Sequence, residues 1–324
     1  MKKVLITGAG GFIGSHLTEK CVELGYKVKA FVHYNSKNNW DWLENSLCKK
    51  DIEVISGDIR DFDSVSDAMK GCNEVFHLAA LIGIPYSYVS PLAYIRTNVE
   101  GTYNILEAAR KQNLSNIIVT STSETYGTAQ YVPIDEKHPM VGQSPYSASK
   151  IGADQMAISY FRSFDLPVKI VRPFNTYGPR QSARAIIPTI ISQILSGQTN
   201  LKLGNTTPTR DLTFVKDTAN GFLEIAKSSK LNGEVTNIGM NEEISVGDLA
   251  NLIAEIIGEK ITIQSDEQRV RPTNSEVERL MCNNEKIKKN TSWKAQYDLK
   301  KGLTETISWL KDNLQSYKAD IYNV

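Results

Sequence analysis

Thr122, Ser123 and Glu124, in "TSTSETYG" (residues 120–127), set two hydroxyls and a carboxylate side by side. Downstream, "YSASK" puts Tyr146 and Lys150 four residues apart, which is one face of a helix. An ammonium near a phenol lowers the phenol pKa, and the resulting phenolate takes a proton from a hydroxyl. A carboxylate nearby adds a second base. Solvated loops and helix faces produce such groupings too, so their meaning depends on the elements that position them.

Those elements read as alternating strands and helices. "KKVLITGAGGFIGSHLTEKCVELGYKVKAFVHY" is strand, glycine turn, helix, strand, with Ile13, Leu17, Cys21 and Leu24 at helical spacing. "IEVISGDI" and "EVFHLAA" are further strands, and Asp61 caps the helix between them. "PLAYIRTNVEGTYNILEAARKQ" predicts one long helix, "NIIVTSTS" a fifth strand, a helix begins near Tyr146, and "VKIVRPFN" is a sixth strand. Near-continuous apolar strands separated by helices predict an α/β, doubly wound parallel sheet. After Arg172, prolines 173, 179, 188 and 208 loosen the rhythm, "EVTNIG" returns to the sheet, and two amphipathic helices follow. The expected division is residues 1–172 plus about 213–240 as a dinucleotide-binding domain. Residues 173–212 plus 241–324 form a smaller mixed lobe.

"TGAGGFIG" gives the first site. Gly8, Gly11 and Gly14 lie between strand and helix, where the turn needs unusual φ, a pyrophosphate needs close backbone approach, and helix must pack on strand. A nicotinamide dinucleotide there gives Tyr146 and Lys150 a partner: the phenolate takes a hydroxyl proton during hydride transfer and the ammonium holds the nicotinamide ribose. An acidic residue commonly ends the second strand and binds the adenosine ribose. Here the place reads "FVHYNSK", and His33, Asn35, Ser36 and Lys37 favour a 2′-phosphate, hence NADP over NAD. His77 in "HLAA" reads as a strand-end histidine rather than a catalytic one.

Bulk properties narrow the class. Lys plus Arg is 37 against 36 Asp plus Glu, which gives no electrostatic case for nucleic acid or membrane as partner. Cys21, Cys48, Cys72 and Cys282 form no CxxC pair, no metal set is expected, and no stretch is long enough to span a membrane. Lys2 and Lys3 precede too short an apolar run for a signal peptide. A cytoplasmic protein is the expectation.

The motifs "TGAGGFIG", "GDI", "HLAA", "TSTSETYG", "YSASK", "RPFNTYGPRQ" and "RDLTFVKD" occur in the order found in extended short-chain dehydrogenases that act on nucleotide sugars, and the resemblance spans nearly the whole chain. "AFVHYNSKNNW", "SPYSASKIGAD" and "RPFNTYGPRQSARAIIP" look closest to bacterial nucleotide-diphospho-N-acetylglucosamine 4,6-dehydratases of legionaminic acid biosynthesis. The resemblance implies that Phe12 and Ile13 join the glycines at the cofactor. It implies that Asp58 and Ile59 hold the adenine and that Leu78, Ala79 and Ala80 lie beside the cofactor. Thr122 would bond the sugar 4-hydroxyl next to Tyr146. Glucose-type 4,6-dehydratases carry Asp-Glu after that threonine. This chain has Ser123-Glu124, which matches the GDP-mannose type, with Glu124 as the base at C5 and the role of Ser123 left open.

The resemblance further implies that Asn175, Arg180, Arg210 and Arg271 face the sugar nucleotide, with Glu276 toward its ribose and Tyr86 and Ser87 lining the sugar pocket. Helices at 97–111 and 146–161, with Ile105, Ile151, Met156 and Ile158 beyond one apolar stripe, would pair in a four-helix homodimer contact. The expected activity is a 4,6-dehydration of GDP- or UDP-N-acetylglucosamine, with NADP or NAD tightly bound and regenerated each turnover. The alternatives are a nucleotide-sugar 4-epimerase, which Glu124 opposes, and a non-catalytic cofactor-sensing protein, which intact Thr122, Tyr146 and Lys150 oppose.

Overall fold

The structure, a computed structural model, describes residues 2–270 and 272–317. The first half runs β1 (Lys3–Thr7), α1 (Phe12–Glu23), β2 (Lys27–His33), β3 (Ile52–Gly57), α2 (Phe62–Met69), β4 (Glu74–His77), α3 (Ile84–Val89), α4 (Pro91–Tyr94), α5 (Gly101–Lys111), β5 (Asn116–Thr120) and α6 (Pro145–Phe164). The second half adds β6 (Val168–Pro173), β7 (Asn175–Tyr177), α7 (Ile186–Leu195), β8 (Asn200–Leu203), β9 (Thr209–Arg210), β10 (Leu212–Phe214), α8 (Val215–Lys227), β11 (Val235–Ile238), β12 (Ile244–Ser245) and α9 (Val246–Ile257). After these come β13 (Thr262–Ser265), β14 (Arg279–Leu280), α10 (Glu285–Asn290) and α11 (Leu299–Asn313).

Seven strands form one parallel sheet in the order β11-β6-β5-β4-β1-β2-β3. Successive residues of each strand feed opposite layers. Val4, Ile6 and Phe76 pack with α1 and α8, and Leu5, Val75 and Ile117 pack with α2, α5 and α6. Burial on both faces explains the unbroken apolar runs in the strands. The strand order reverses between β1 and β4, so a crevice opens above their C-terminal ends. A third core, built on Ile190, Leu201, Leu249, Ile253 and Leu303, joins α7, β8, α9 and α11 beside that crevice.

Several expectations hold. Asp61 caps α2 through the amides of Asp63 and Ser64. "EVTNIG" returns to the sheet edge against β6. The long helix expected over 91–112 runs unbroken over 91–111 as α4, a π-turn over Ile95–Glu100 and α5. Within the π-turn, Asn98 bonds both the amide and the carbonyl of Leu81 (2.9 Å each). At its end Gly101 has no Cβ, and one would lie 2.6 Å from the Ile59 side chain. Ile105 is fully buried against the sheet and belongs to the core, not to an outward stripe.

Asp217, buried in the first turn of α8, accepts hydrogen bonds from the amides of Gln296 (2.9 Å) and Tyr297 (3.0 Å) and so seats the chain entering α11. Asp217→Ala removes the acceptor of two part-buried amides and is expected to cost about 2 kcal/mol. Urea unfolding checks this, and a loss below about 1 kcal/mol would contradict the seating role.

Candidate active site

A cavity of about 970 Å³ runs above the C-terminal ends of β1, β4 and β5 and into the second lobe. Its dinucleotide end is built from the glycine turn. Gly8 has φ +69°, and a Cβ on it would lie 2.8 Å from the Ala79 amide nitrogen. A Cβ on Gly14 would lie 2.0 Å from the Gly8 carbonyl oxygen. The turn therefore closes directly on β4's exit and on its own helix. α1 starts with Gly11 at its N-cap and no side-chain cap, so its first amides are left for an anion at the cavity floor. This cradle fits a dinucleotide pyrophosphate. Phe12, Ile13, His33, Asp58, Ile59, Leu78, Ala79 and Ala80 line the same end, as the motifs imply.

His77 is enclosed behind it. Its Nδ1 pairs with the Thr7 hydroxyl (2.8 Å) and its Nε2 with that of Thr102 (3.1 Å), and burial holds its pKa down at about 3. It is a neutral structural group, as expected. Asn35, Ser36 and Lys37 lie off the cavity wall: the Asn35 side chain closes its own loop on Lys37 and Asn39, and Ser36 and Lys37 point to solvent. The same loop then returns Asp41 to the wall, and a Cβ on Gly10 would sit 3.2 Å from its carboxylate. Asp41 lies eight residues past the strand, outside the place where the motif puts its carboxylate. Arg60, in an ion pair of 2.5 Å with Asp58, also lines this end and was not anticipated.

The catalytic groups meet at the end of β5. The strand stops at Thr120, and Ser123–Tyr126 form a 3₁₀ turn capped by the Thr122 hydroxyl, which accepts from the Glu124 amide. Thr122, Ser123 and Glu124 thus sit on a turn rather than on strand, and all three line the cavity. α6 opens with Ser144 and Ser147 in a reciprocal capping box, which fixes the pitch at which Tyr146 and Lys150 enter. Burial pushes the Tyr146 phenol above its usual range. Its hydrogen bond with Thr122 acts the other way, and Glu124 adds to the rise. Arg184, a cavity residue in "RQSAR" not singled out in the sequence, is a cation that favours the phenolate. Lys150 donates to the Thr120 carbonyl oxygen (2.6 Å), and burial lowers its pKa to about 8. Tyr126 is core: its hydroxyl donates to Asn237 and its ring carries the Arg172 guanidinium at 4.5 Å.

At the far end Tyr86, Asn175, Arg210 and Glu276 line the cavity. The Asn175 Oδ1 is buried with no hydrogen-bond partner among the described residues, and Arg210 pairs with Glu276 at 3.3 Å. Arg269, unanticipated, lines this end while paired with Asp266. Two expected residues are elsewhere. Arg180 makes a two-pronged pair with Glu19 of α1 (2.9 and 3.0 Å), and Ser87 is buried with its hydroxyl donated to the Ile84 carbonyl (2.6 Å). Arg271 lies outside the described residues.

Fold, glycine cradle and the Thr-Tyr-Lys group define an enzyme of the nicotinamide-dependent dehydratase and epimerase kind. The chain matches the GDP-mannose 4,6 dehydratase family over residues 5–306 and belongs to it. A putative UDP-glucose 4-epimerase of Methanocaldococcus jannaschii is 32% identical over 96% of this chain and 99% of its own length. The dTDP-D-glucose 4,6-dehydratase of Homo sapiens is 31% identical over 98% and 92%. The crystal structure of dTDP-glucose 4,6-dehydratase from Streptomyces venezuelae, solved with NAD bound, superposes with a TM-score of 0.88 at 26% identity, covering 98% of this chain and 99% of that one.

Gly8→Ala tests the cradle. The positive φ and the contact with Ala79 predict that binding of NAD and NADP weakens about tenfold or more, read by calorimetry. Unchanged affinity would place the dinucleotide elsewhere.

Proposed function

We propose that the protein is a nucleotide-sugar 4,6-dehydratase acting on GDP- or UDP-N-acetylglucosamine. The observation that carries this reading is Glu124 on the same wall as Thr122 and Tyr146, close enough to oppose ionisation of the phenol. When bound, the nicotinamide supplies a hydride acceptor for C4 and a hydride donor for C6. Tyr146, hydrogen-bonded to Thr122, takes the proton of the sugar 4-hydroxyl. The C4 carbonyl acidifies the hydrogen on C5, and Glu124 takes that proton. The C6 hydroxyl leaves as water, and Glu124 returns a proton to it, with Ser123 as neighbour rather than acid. Arg184, beside Tyr146, favours negative charge on the oxygen at C4. Hydride addition at C6 is matched by a proton at C5, which solvent water delivers through Glu124, and the product is a 4-keto-6-deoxy sugar nucleotide. This fits the resemblance to the enzymes of legionaminic acid biosynthesis.

Asp41 counts against a 2′-phosphate at the adenosine end, so NAD replaces NADP as the favoured cofactor. In this reading the diphosphate lies near Asn175 and Arg210, and residues 173–212 and 241–324 form the sugar-nucleotide lobe. The exposed Leu92, Ile95 and Tyr103, at 56, 54 and 43% exposure, offer an apolar face for a homodimer contact beside α5. All four cysteines are unpaired, which suits a reducing cytoplasm. The second reading is a 4-epimerase, favoured by the similarity to the Methanocaldococcus protein.

Two variants separate the readings. Tyr146→Phe is expected to slow C4 oxidation by ~10²–10⁴-fold, and near-full turnover would end its role as base. Glu124→Gln keeps shape but loses the proton acceptor. It should still reduce the bound cofactor on adding sugar nucleotide, seen in nicotinamide absorbance, yet release no 6-deoxy-4-keto product. Dehydration at close to the parent rate would remove Glu124 from the elimination.

A further inference from the structure

We propose that Asp154 is a positioning residue of this site: from the same stripe of α6 as Tyr146 and Lys150, it clamps Ser121 and so fixes the strand end that holds both. The inference rests on the reading that Tyr146 and Lys150 carry the C4 oxidation.

Residues 146, 150 and 154 are spaced by four and share one side of α6. Each engages one of three consecutive residues at the end of β5. Lys150 donates to the Thr120 carbonyl oxygen, Asp154 accepts from the Ser121 hydroxyl (2.6 Å), and Tyr146 bonds Thr122. The two outer contacts aim the reacting groups, and the middle one is closed away from the reaction. Asp154 is fully buried, and its Oδ2 also receives Arg172 of β6 at 2.6 Å. Arg172 is itself enclosed, stacked over Tyr126, and donates weakly to Ser121 (3.3 Å). A buried ion pair of this kind is costly to assemble and adds little stability over an apolar pair. Its place under the reacting groups supplies a reason for it.

The clamp has an electrical side. The Asp154 Oδ1 is buried with no hydrogen-bond partner among the described residues, and the Asp154 charge favours the ammonium of Lys150 against the burial that lowers it. The other groups facing Lys150 are His77 of β4, which is neutral, the Thr120 carbonyl of β5 and Tyr146 on its own helix; Arg172 of β6 faces Asp154. Removing the Asp154 charge therefore lowers the pH at which Lys150 gives up its proton.

The test has two arms. In ¹³C-lysine-labelled protein without cofactor, Lys150 is expected to titrate near about 8 in the parent. In Asp154→Asn it should titrate roughly one unit or more lower. If that variant does not fold, Asp154→Asn with Arg172→Met removes both buried charges and is read the same way. An unmoved Lys150 titration in a folded variant overturns the electrical half. Ser121→Ala keeps all charges. It is expected to slow nicotinamide reduction by the sugar nucleotide about tenfold with KM unchanged, and a parent-like rate overturns the geometric half. If the parent itself reduces no cofactor with any nucleotide sugar, the proposed function fails, while the titration arm still decides the electrical half.

Discussion

The site depends on where β5 stops. Its last residue, Thr120, offers a carbonyl to Lys150, and the chain then turns tightly enough for Thr122 to cap a 3₁₀ turn and bond Tyr146. One more residue of regular strand would move Thr122 and Glu124 to other faces. The turn keeps both on the cavity wall and places a carboxylate near a phenol without a direct bond between them. α6 is fixed against this turn by its capping box at one end and by Asp154 at its middle. The parallel sheet supplies the rest: its order reverses beside β4, and the only backbone that can pass there is glycine.

The proposed dehydration sets an oxidation and an elimination in one pocket, and they make different demands on it. Oxidation needs a phenol that can ionise although burial opposes it, and the surrounding charges are arranged accordingly. Arg184, on the cavity wall, favours the phenolate, and Lys150 is held to the strand end. Elimination needs a base that stays accessible, and Glu124 is half-buried at the cavity rather than enclosed. The enclosed groups His77, Asp154 and Arg172 have their hydrogen bonds directed into the framework.

Much of this was legible in the sequence because it is local. The glycine turn, the Tyr146–Lys150 spacing and the Thr122–Glu124 run are each set by residues within a few positions, and the strand pattern follows from burial on two faces. What stayed hidden is long-range. Arg180 reads like a phosphate ligand until α1 brings Glu19 to it from 161 residues away. Asp41 reads like loop until the chain folds back over Gly10. Ser87 reads like a pocket hydroxyl until a short helix turns it inward onto Ile84. Arg184 carries no spacing signal at all, since its neighbours in space are Gly83, Tyr94 and Tyr146. The π-turn at Ile95–Glu100 was hidden because a helical period does not reveal where a polar side chain must reach sideways to a loop.

The most direct measurement of the central claim uses the unmodified protein. It is incubated with GDP-N-acetylglucosamine and, separately, UDP-N-acetylglucosamine in deuterated water, and the sugar nucleotide is examined by mass spectrometry and NMR. The account predicts loss of one water from one of the two substrates, a methyl group at C6 and solvent deuterium at C5. Inversion at C4 with no loss of water would contradict it and assign the same Tyr146, Thr122 and Lys150 to an epimerase.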